Sequence, residues 1–313
     1  MVPIDAAYKQ DFYVPDACGA AIGDRVVIRF TNWQNRHVSP EAEIVEALGP
    51  ADNPSVDTIS IVRHFGLRDE FPAPVIREAE LVSNLVDHPG KRLDLRARFI
   101  ITIDPERARD FDDALSLEKD AAGNRVLGVH IADVSHFLRV DGPLDREAAV
   151  RGNSVYLPDK VIPMLPEQLS NGVCSLKPNE DRLTFSVFMT FDGAGRVTGR
   201  QFSKSIIRSR QRLTYEEAFS ALDPSGKKQR RAGVGDETAG LLRQLNALAQ
   251  QMRKRRFAEY ALDLDVPECE IVMGADHMMT GIRVVENALS HQLVEECMVA
   301  ANEAVAVKLN DHA

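Results

Sequence analysis

Two apolar, β-branched segments bracket a run of four aspartates, and any fold for this chain must accommodate that arrangement. Phe99-Ile100-Ile101-Thr102-Ile103 leads straight into Asp104, Asp110 and Asp112 follow, and Asp113 opens Ala114-Leu115-Ser116-Leu117-Glu118. The first segment reads as a buried strand and the second as an alternating one. The carboxylates between them are therefore held at the edge of a core and not on a free tail. Taking such charges out of water unpaired costs several kcal/mol per ion. A hard divalent cation is the natural partner, because Mg²⁺ takes oxygen ligands and often completes its shell with phosphate. The ordinary alternative, a solvated Asp-rich loop or a helix N-cap, suits flanking core strands poorly. A calcium loop starting at Asp110 would place Leu115 where Gly is required and Ala121 where Glu is required. A strand-end Asp-x-Asp phosphotransferase motif would need an aspartate at Glu106. The run points to metal-dependent phosphate chemistry.

The 313 residues suggest two domains on a prior of roughly 150 residues each. With 44% hydrophobic and 27% charged residues, a sizeable core is available. Cys18, Cys174, Cys269 and Cys297 show no Cys-x-x-Cys pairing, which argues against a zinc site or a disulfide framework. The N-terminus lacks the charged-then-apolar pattern of a signal peptide, and no apolar run approaches membrane-spanning length. The expectation is a cytoplasmic protein. The net charge of −9 argues at first against a nucleic-acid partner, but residues 196–256 hold 15 Lys or Arg against 5 Asp or Glu. That stretch has two readings of equal weight. One is an electrostatic footprint for a phosphate backbone. In the other, Arg253-Lys254-Arg255-Arg256 closes a helix, where cations suit the macrodipole.

Residues 1 to about 60 read as short strands (11–14, 24–30 and 42–45) separated by Asn- and Pro-rich spacers at 31–40 and 49–54. That pattern predicts a small OB-like barrel. A Pro-rich junction at 71–74 precedes a predicted helix over 75–85 and marks the domain boundary. Beyond it, strands are predicted at 125–134, pairing with 113–118, and at 183–191, with Leu183, Phe185, Val187, Met189 and Phe191 on one face. The turn Asp192-Gly-Ala-Gly195 reverses this strand into another. A polar, Gly-rich loop is expected over 223–240, then an amphipathic helix carrying Leu241, Leu242, Leu245, Leu248 and Met252, and a last helix over 289–309. The fold class is α+β.

The stretch Thr102-Ile-Asp104-Pro-Glu-Arg-Ala-Arg-Asp110-Phe-Asp112-Asp113-Ala-Leu-Ser resembles the catalytic signature of the ribonuclease II/ribonuclease R family. Further segments match the same catalytic (RNB) domain in order. They are His130-Ile-Ala-Asp133-Val-Ser, Ser154-Val-Tyr156-Leu-Pro, Ile162-Pro-Met-Leu-Pro166, Leu169-Ser-Asn-Gly-Val-Cys174-Ser-Leu, Arg212-Leu-Thr-Tyr215 and His291-Gln-Leu-Val-Glu295-Glu296-Cys-Met-Val-Ala-Ala-Asn302. The resemblance covers roughly residues 70–310 and lies nearer the bacterial ribonuclease R branch. Residues 1–70 are similar to the cold-shock, OB-type RNA-binding domain that precedes the RNB domain, which then occupies 71–313 as its N-terminal portion.

The resemblance implies a processive, Mg²⁺-dependent exoribonuclease, expected as a monomer, that degrades single-stranded RNA from the 3′ end to nucleoside 5′-monophosphates. Asp104, Asp110, Asp112 and Asp113 would be its catalytic and metal-binding residues, in a two-metal site with ions about 3.5–4 Å apart. Tyr156 falls on the family tyrosine that packs on the 3′-terminal base, where an aromatic face contributes about 1–3 kcal/mol per base without sequence preference. A core tyrosine is the plain alternative. His130 and His136 could be imagined as a metal pair, but His130 lies on a predicted strand and reads as a hydrogen-bonded structural histidine. Tyr215, Glu295 and Glu296 are explained nearly as well by capping and packing as by RNA contact. The family domain continues past residue 313, with an arginine near the scissile phosphate, a further acidic residue and an S1 domain. The resemblance therefore implies truncation at the C-terminal side, low solubility and little activity for this piece alone. The competing class is a non-catalytic RNA-binding or regulatory remnant of the same family.

Overall fold

Along the chain, β1 (Asp24–Asn32) and β2 (Glu41–Pro50) precede α1 (Pro54–His64) and α2 (Ala73–Ser83). The strands β3 (Leu93–Asp94), β4 (Ile101–Asp104), β5 (Asp113–Lys119) and β6 (Arg125–Ala132) follow, then α3 (Pro143–Arg151), β7 (Val155–Tyr156) and β8 (Val161–Ile162). Next come β9 (Asp181–Phe191), β10 (Val197–Arg208), β11 (Gln211–Thr214), α4 (Tyr215–Leu222) and α5 (Asp236–Glu259). The strands β12 (Glu268–Met273) and β13 (Met279–Val285) lead to α6 (Leu289–Asn310). This computed structural model describes residues 1–84, 91–223, 234–262, 266, 268–274, 278–285 and 288–312.

The chain divides into two compact units. The first comprises 1–71, 154–162 and 269–283, and the second the remainder. In the first, β1 and β2 form an antiparallel hairpin with three register shifts, irregularities that bend and twist a strand pair. The expected strand at 11–14 is reduced to a single bridge between Tyr13 and Glu41. The spacer after Gly49 runs into α1, a helix not anticipated. Asn53 caps it by accepting from the Ser55 N–H, and Pro54 sits in its first turn, where a missing N–H costs nothing.

The second unit is built on a seven-stranded sheet in the order β11-β4-β5-β6-β9-β10-β3. One face carries Leu115, Leu127, Val129, Val187, Met189 and Phe191, packed with Leu242, Leu245 and Leu248 of α5 and Leu293 and Cys297 of α6. Each such fully buried aliphatic side chain contributes about 1.5–3 kcal/mol. The alternation expected in β9 holds in outline. Phe185, however, is 39% exposed, and Thr184, Ser186 and Phe188 on the opposite face are buried too.

That opposite face carries a buried chain of polar groups. His130, fully buried, contacts Ser116 Oγ through Nε2 at 2.9 Å and Ser186 Oγ through Nδ1 at 2.7 Å. Ser186 meets Ser205, and Ser205 meets Thr184. Burial pulls the His130 pKa down to about 3, so the ring is neutral, with one nitrogen donating and the other accepting. This is the structural histidine expected. Gly128 is required beside it, because a Cβ there would collide with Ser116 Oγ and His130 Nε2.

The predicted helix over 75–85 is α2, and residue 85 lies outside the described residues. In the predicted loop over 223–240, residues 224–233 also lie outside them, and Asp236 to Gly240 form the first turn of α5. Arg253 to Arg256 of the basic run lie near the C-terminal end of α5. Arg253 and Arg256 pair with Glu295 and Glu296 on α6, Arg255 pairs with Glu259, and Arg196 pairs with Asp192.

Candidate active site

The strands β4 and β5 are antiparallel neighbours, with Ile101 opposite Leu115, so residues 105–112 form the connection at one end of the sheet. Asp104 is the last residue of β4 and Asp113 the first of β5. On the other side of β4, β11 runs parallel, with Thr214 opposite Asp104. Thr214 caps α4 in a reciprocal capping box with Glu217, which starts α4 at the level of the aspartates. The strand-then-helix change at 214–215 follows from Thr-x-x-Glu at a point where a strand ends.

The structure brings Asp104, Asp112 and Asp113 into one electrostatic group. Burial, followed by the charges of Asp104 and Asp112, pushes Asp113 up to about 7. Burial also raises Asp104, to about 6, with the neighbouring Thr102 hydroxyl and then Arg212 pulling against it and Asp112 and Asp110 adding to it. Asp112 is raised by burial and then by Asp110, but it keeps an exposed surface and solvent screens it. Asp110 is half-buried in the connecting loop. Tyr156 lies elsewhere in the chain's organisation. It is 63% exposed on the short β7–β8 hairpin of the first unit. Within that unit Asp159 accepts from Thr58 Oγ1 at 2.8 Å, and Lys160 pairs with Asp69 at 3.3 Å. The exposure removes the core-tyrosine alternative.

A divalent metal suits the donor set. All four candidates offer carboxylate oxygen, the donor a hard cation takes. Asp104 Oδ2 is buried and has no hydrogen-bond partner among the described residues, a costly state for a charged oxygen. Among the described residues no three His, Cys, Asp or Glu side chains are gathered closely enough to hold a metal ion by themselves. A cation that keeps several waters and takes phosphate oxygens, as Mg²⁺ does, fits such a partial set.

Sequence reasoning weighed Tyr215 for RNA contact and left it out of the site. Its ring is stacked on His291 at 4.0 Å, and its hydroxyl is pushed up to about 12 by burial and then by Asp113 and Asp104. The parallel β11–β4 register placed it there, and nothing in local spacing announces that register. Glu296 is buried among the α5 arginines while the Glu295 side chain stays 45% exposed, so the two do point apart as helix geometry requires.

A family model described as RNB domain matches residues 92–313. The chain belongs to the RNB-domain family. A second model, cold shock domain, matches residues 1–72 of this RNB chain. Among curated relatives, ribonuclease R of Thermotoga maritima is 40% identical over 322 residues, covering 100% of the RNB chain and 44% of that protein. Ribonuclease R of Chlamydia pneumoniae is 39% identical over 296 residues, covering 92% and 42%. The chain thus spans less than half the length of these curated relatives. Among solved structures, Mycoplasma genitalium RNase R in complex with double-stranded RNA superposes with a TM-score of 0.89 at 26% identity, covering 97% of the RNB chain and 54% of the other. Yeast Ssd1, described as a pseudonuclease, shares the fold at a TM-score of 0.65 and 20% identity. The expected α+β class, a cold-shock/OB-type region followed by an RNB region, is the one found. No helix among the described residues is long and apolar enough to cross a membrane.

Proposed function

We propose that this chain carries the cold-shock region and the aspartate centre of a 3′→5′ exoribonuclease of the ribonuclease R type, acting on single-stranded RNA. Residues 1–70 serve RNA binding, and 71–313 carry the RNB nuclease region. The observation that supports this reading most directly is the set of buried, mutually repelling carboxylates at the end of β4 and the start of β5. Without a cation that arrangement costs stability. Asp104, Asp110, Asp112 and Asp113 would hold Mg²⁺ in a two-metal arrangement. Bound there, the metal supplies charge neutralisation at the phosphate and a more acidic water.

The chain's own residues do the rest. Asp104 and Asp113 are fixed at strand ends and Asp110 and Asp112 in the short connection between them, so their oxygens are presented with little reorganisation when substrate arrives. Tyr156 offers an exposed ring on which a terminal base stacks whatever its identity. Contacts to phosphates and base faces carry little sequence information, so preference among RNAs is low. The RNA in the solved Mycoplasma genitalium complexes, double-stranded in one and ribose-methylated single-stranded in another, supports RNA as the ligand class.

The test incubates the chain with Mg²⁺ and 3′-labelled single-stranded RNA. Release of labelled mononucleotide, lost on chelation, is expected. RNA binding with no release at any divalent concentration favours the second reading, an RNA-binding remnant. The likeness to a pseudonuclease at 20% identity shows only that this fold does not by itself decide between them.

A further inference from the structure

The loop that carries Asp110 and Asp112 is gripped from two sides by residues outside it. On one side stands Ser175, fully buried. Its Oγ donates to the Arg109 carbonyl at 2.7 Å and accepts from the Phe111 N–H at 3.1 Å. One hydroxyl therefore ties the peptide group before Asp110 to the one after it. The next residue, Leu176, donates its N–H to the Phe111 carbonyl at 2.9 Å, which fixes the peptide leading into Asp112. Ser175 is in turn held by Arg182, only 9% exposed, whose Nε donates to the Ser175 carbonyl at 2.7 Å and whose Nη2 reaches the Gly172 carbonyl at 3.4 Å.

On the other side stands Arg212 of β11. Its Nη2 donates to the carbonyls of Pro105 at 2.5 Å and Glu106 at 3.1 Å, and its guanidinium lies 5.4 Å from the centroid of the Phe111 ring. Phe111, buried between Asp110 and Asp112, is thus held through its backbone by Ser175 and Leu176 and through its ring by Arg212. The planar fork of arginine suits this double role, which a lysine ammonium does not reproduce.

We propose that Ser175 and Arg212 are positioning residues that clamp the 105–112 loop, setting the spacing of the aspartate oxygens for a divalent cation. The inference rests on the metal reading of the aspartates given above. It differs in sign from a purely electrostatic account. Arg212 lies in the field of Asp104, so charge alone predicts that removing it tightens cation binding. The clamp predicts that removing it loosens binding.

The experiment titrates Mn²⁺, as a spectroscopic stand-in for Mg²⁺, into the full 313-residue chain and its Ser175→Ala and Arg212→Gln variants by calorimetry and electron paramagnetic resonance. Backbone hydrogen exchange is measured on the same samples without metal. Both variants should bind Mn²⁺ about 10-fold or more weakly, the usual effect of losing groups that orient metal ligands. Exchange should accelerate in peptides covering 105–112 while β9 peptides stay unchanged. Arg212→Lys should recover little, because it restores charge without the fork. Unchanged or tighter Mn²⁺ binding by Arg212→Gln, or unchanged exchange in the loop of either variant, overturns the clamp. A wild-type chain that binds no Mn²⁺ overturns the metal reading itself and the clamp's purpose with it. Should Ser175→Ala fail to fold, the half-exposed Arg212→Gln carries the test.

Discussion

Asp104 and Asp113 face a common problem at the open end of β4 and β5. Each is largely buried, and the charge of Asp104 raises the pKa of Asp113. Carboxylates whose folded pKa lies above the unfolded value of about 3.9 keep their protons longer in the native state. Between the two values the folded chain binds more protons than the unfolded one, so stability falls as pH rises.

In the metal-free chain the coupled pair should therefore contribute a loss of stability between about pH 4 and pH 7, on the order of a few kcal/mol. In a unit of this size that is roughly 2–4 °C in Tm per kcal/mol. Carboxylates held low by arginines, such as Asp181 beside Arg208 and Arg96, act below about pH 4, but His130 and His136, lowered by burial, add stability as pH rises toward about 6.5 and so act in the opposite sense. Mg²⁺ should restore Tm at pH 7.5 and do little at pH 4.5. Tm measured against pH with Mg²⁺ and with chelator decides the matter, because the histidines act alike in both, and a difference that does not grow from pH 4.5 to pH 7.5 counts against it.

Asp113→Asn should raise the Tm of the metal-free chain at pH 7.5, since it removes a charge that burial and two neighbours oppose. The same variant should blunt the response to Mg²⁺. Asp112→Asn is the sharper functional test. It should abolish mononucleotide release while leaving RNA affinity near that of the parent, because only one ligand charge is lost. Cleavage retained at saturating Mg²⁺ in an otherwise active enzyme would remove Asp112 from the centre.

Tyr156→Ala should leave stability within about 0.5 kcal/mol, as surface substitutions do, because the ring is 63% exposed. Its effect belongs to substrate, with longer end products and slower cutting expected. Gel analysis of limit products reads it directly, and an unchanged product length excludes the stacking role.

The Arg92 guanidinium donates to Asp133 Oδ2 at 2.7 Å, with both side chains only 4% exposed, and also reaches the Thr184 carbonyl and His136. Asp133→Ala leaves a buried cation uncompensated and should cost about 3–5 kcal/mol. Combining it with Arg92→Met should return much of that loss. Denaturant titration of the single and double variants checks this, and additive losses would contradict it.

What was legible in the chain was what periodicity and flanking chemistry encode locally. Strand-like residues on both sides of the aspartates became β4 and β5, and the leucine spacing at 241–252 became α5. Asn53-Pro54 is a helix-start pair, but it sat inside a stretch read as spacer, so α1 went unseen. Ser175, Arg212 and Tyr215 lie in segments that carry the family resemblance, but their place beside the aspartates was hidden for a different reason. Their proximity to the aspartates comes from pairing between segments tens of residues apart, and no local spacing reports it. The charge count over 196–256 could not show pairing for the same reason, because the partners of Arg253 and Arg256 lie on α6.

The serine–histidine chain across the sheet carries a consequence for assembly. Ser116, His130, Ser186 and Ser205 come from four successive strands, β5, β6, β9 and β10, and meet only in one alignment. Sliding any strand by one residue would turn these hydroxyls to the leucine-rich face and orphan the imidazole. An apolar face tolerates near-miss alignments, but a buried polar row rejects them outright. The row thus works like the wards of a lock, passing one strand alignment and blocking its neighbours. The height at which Asp113 emerges at the sheet's end is thereby set from its middle.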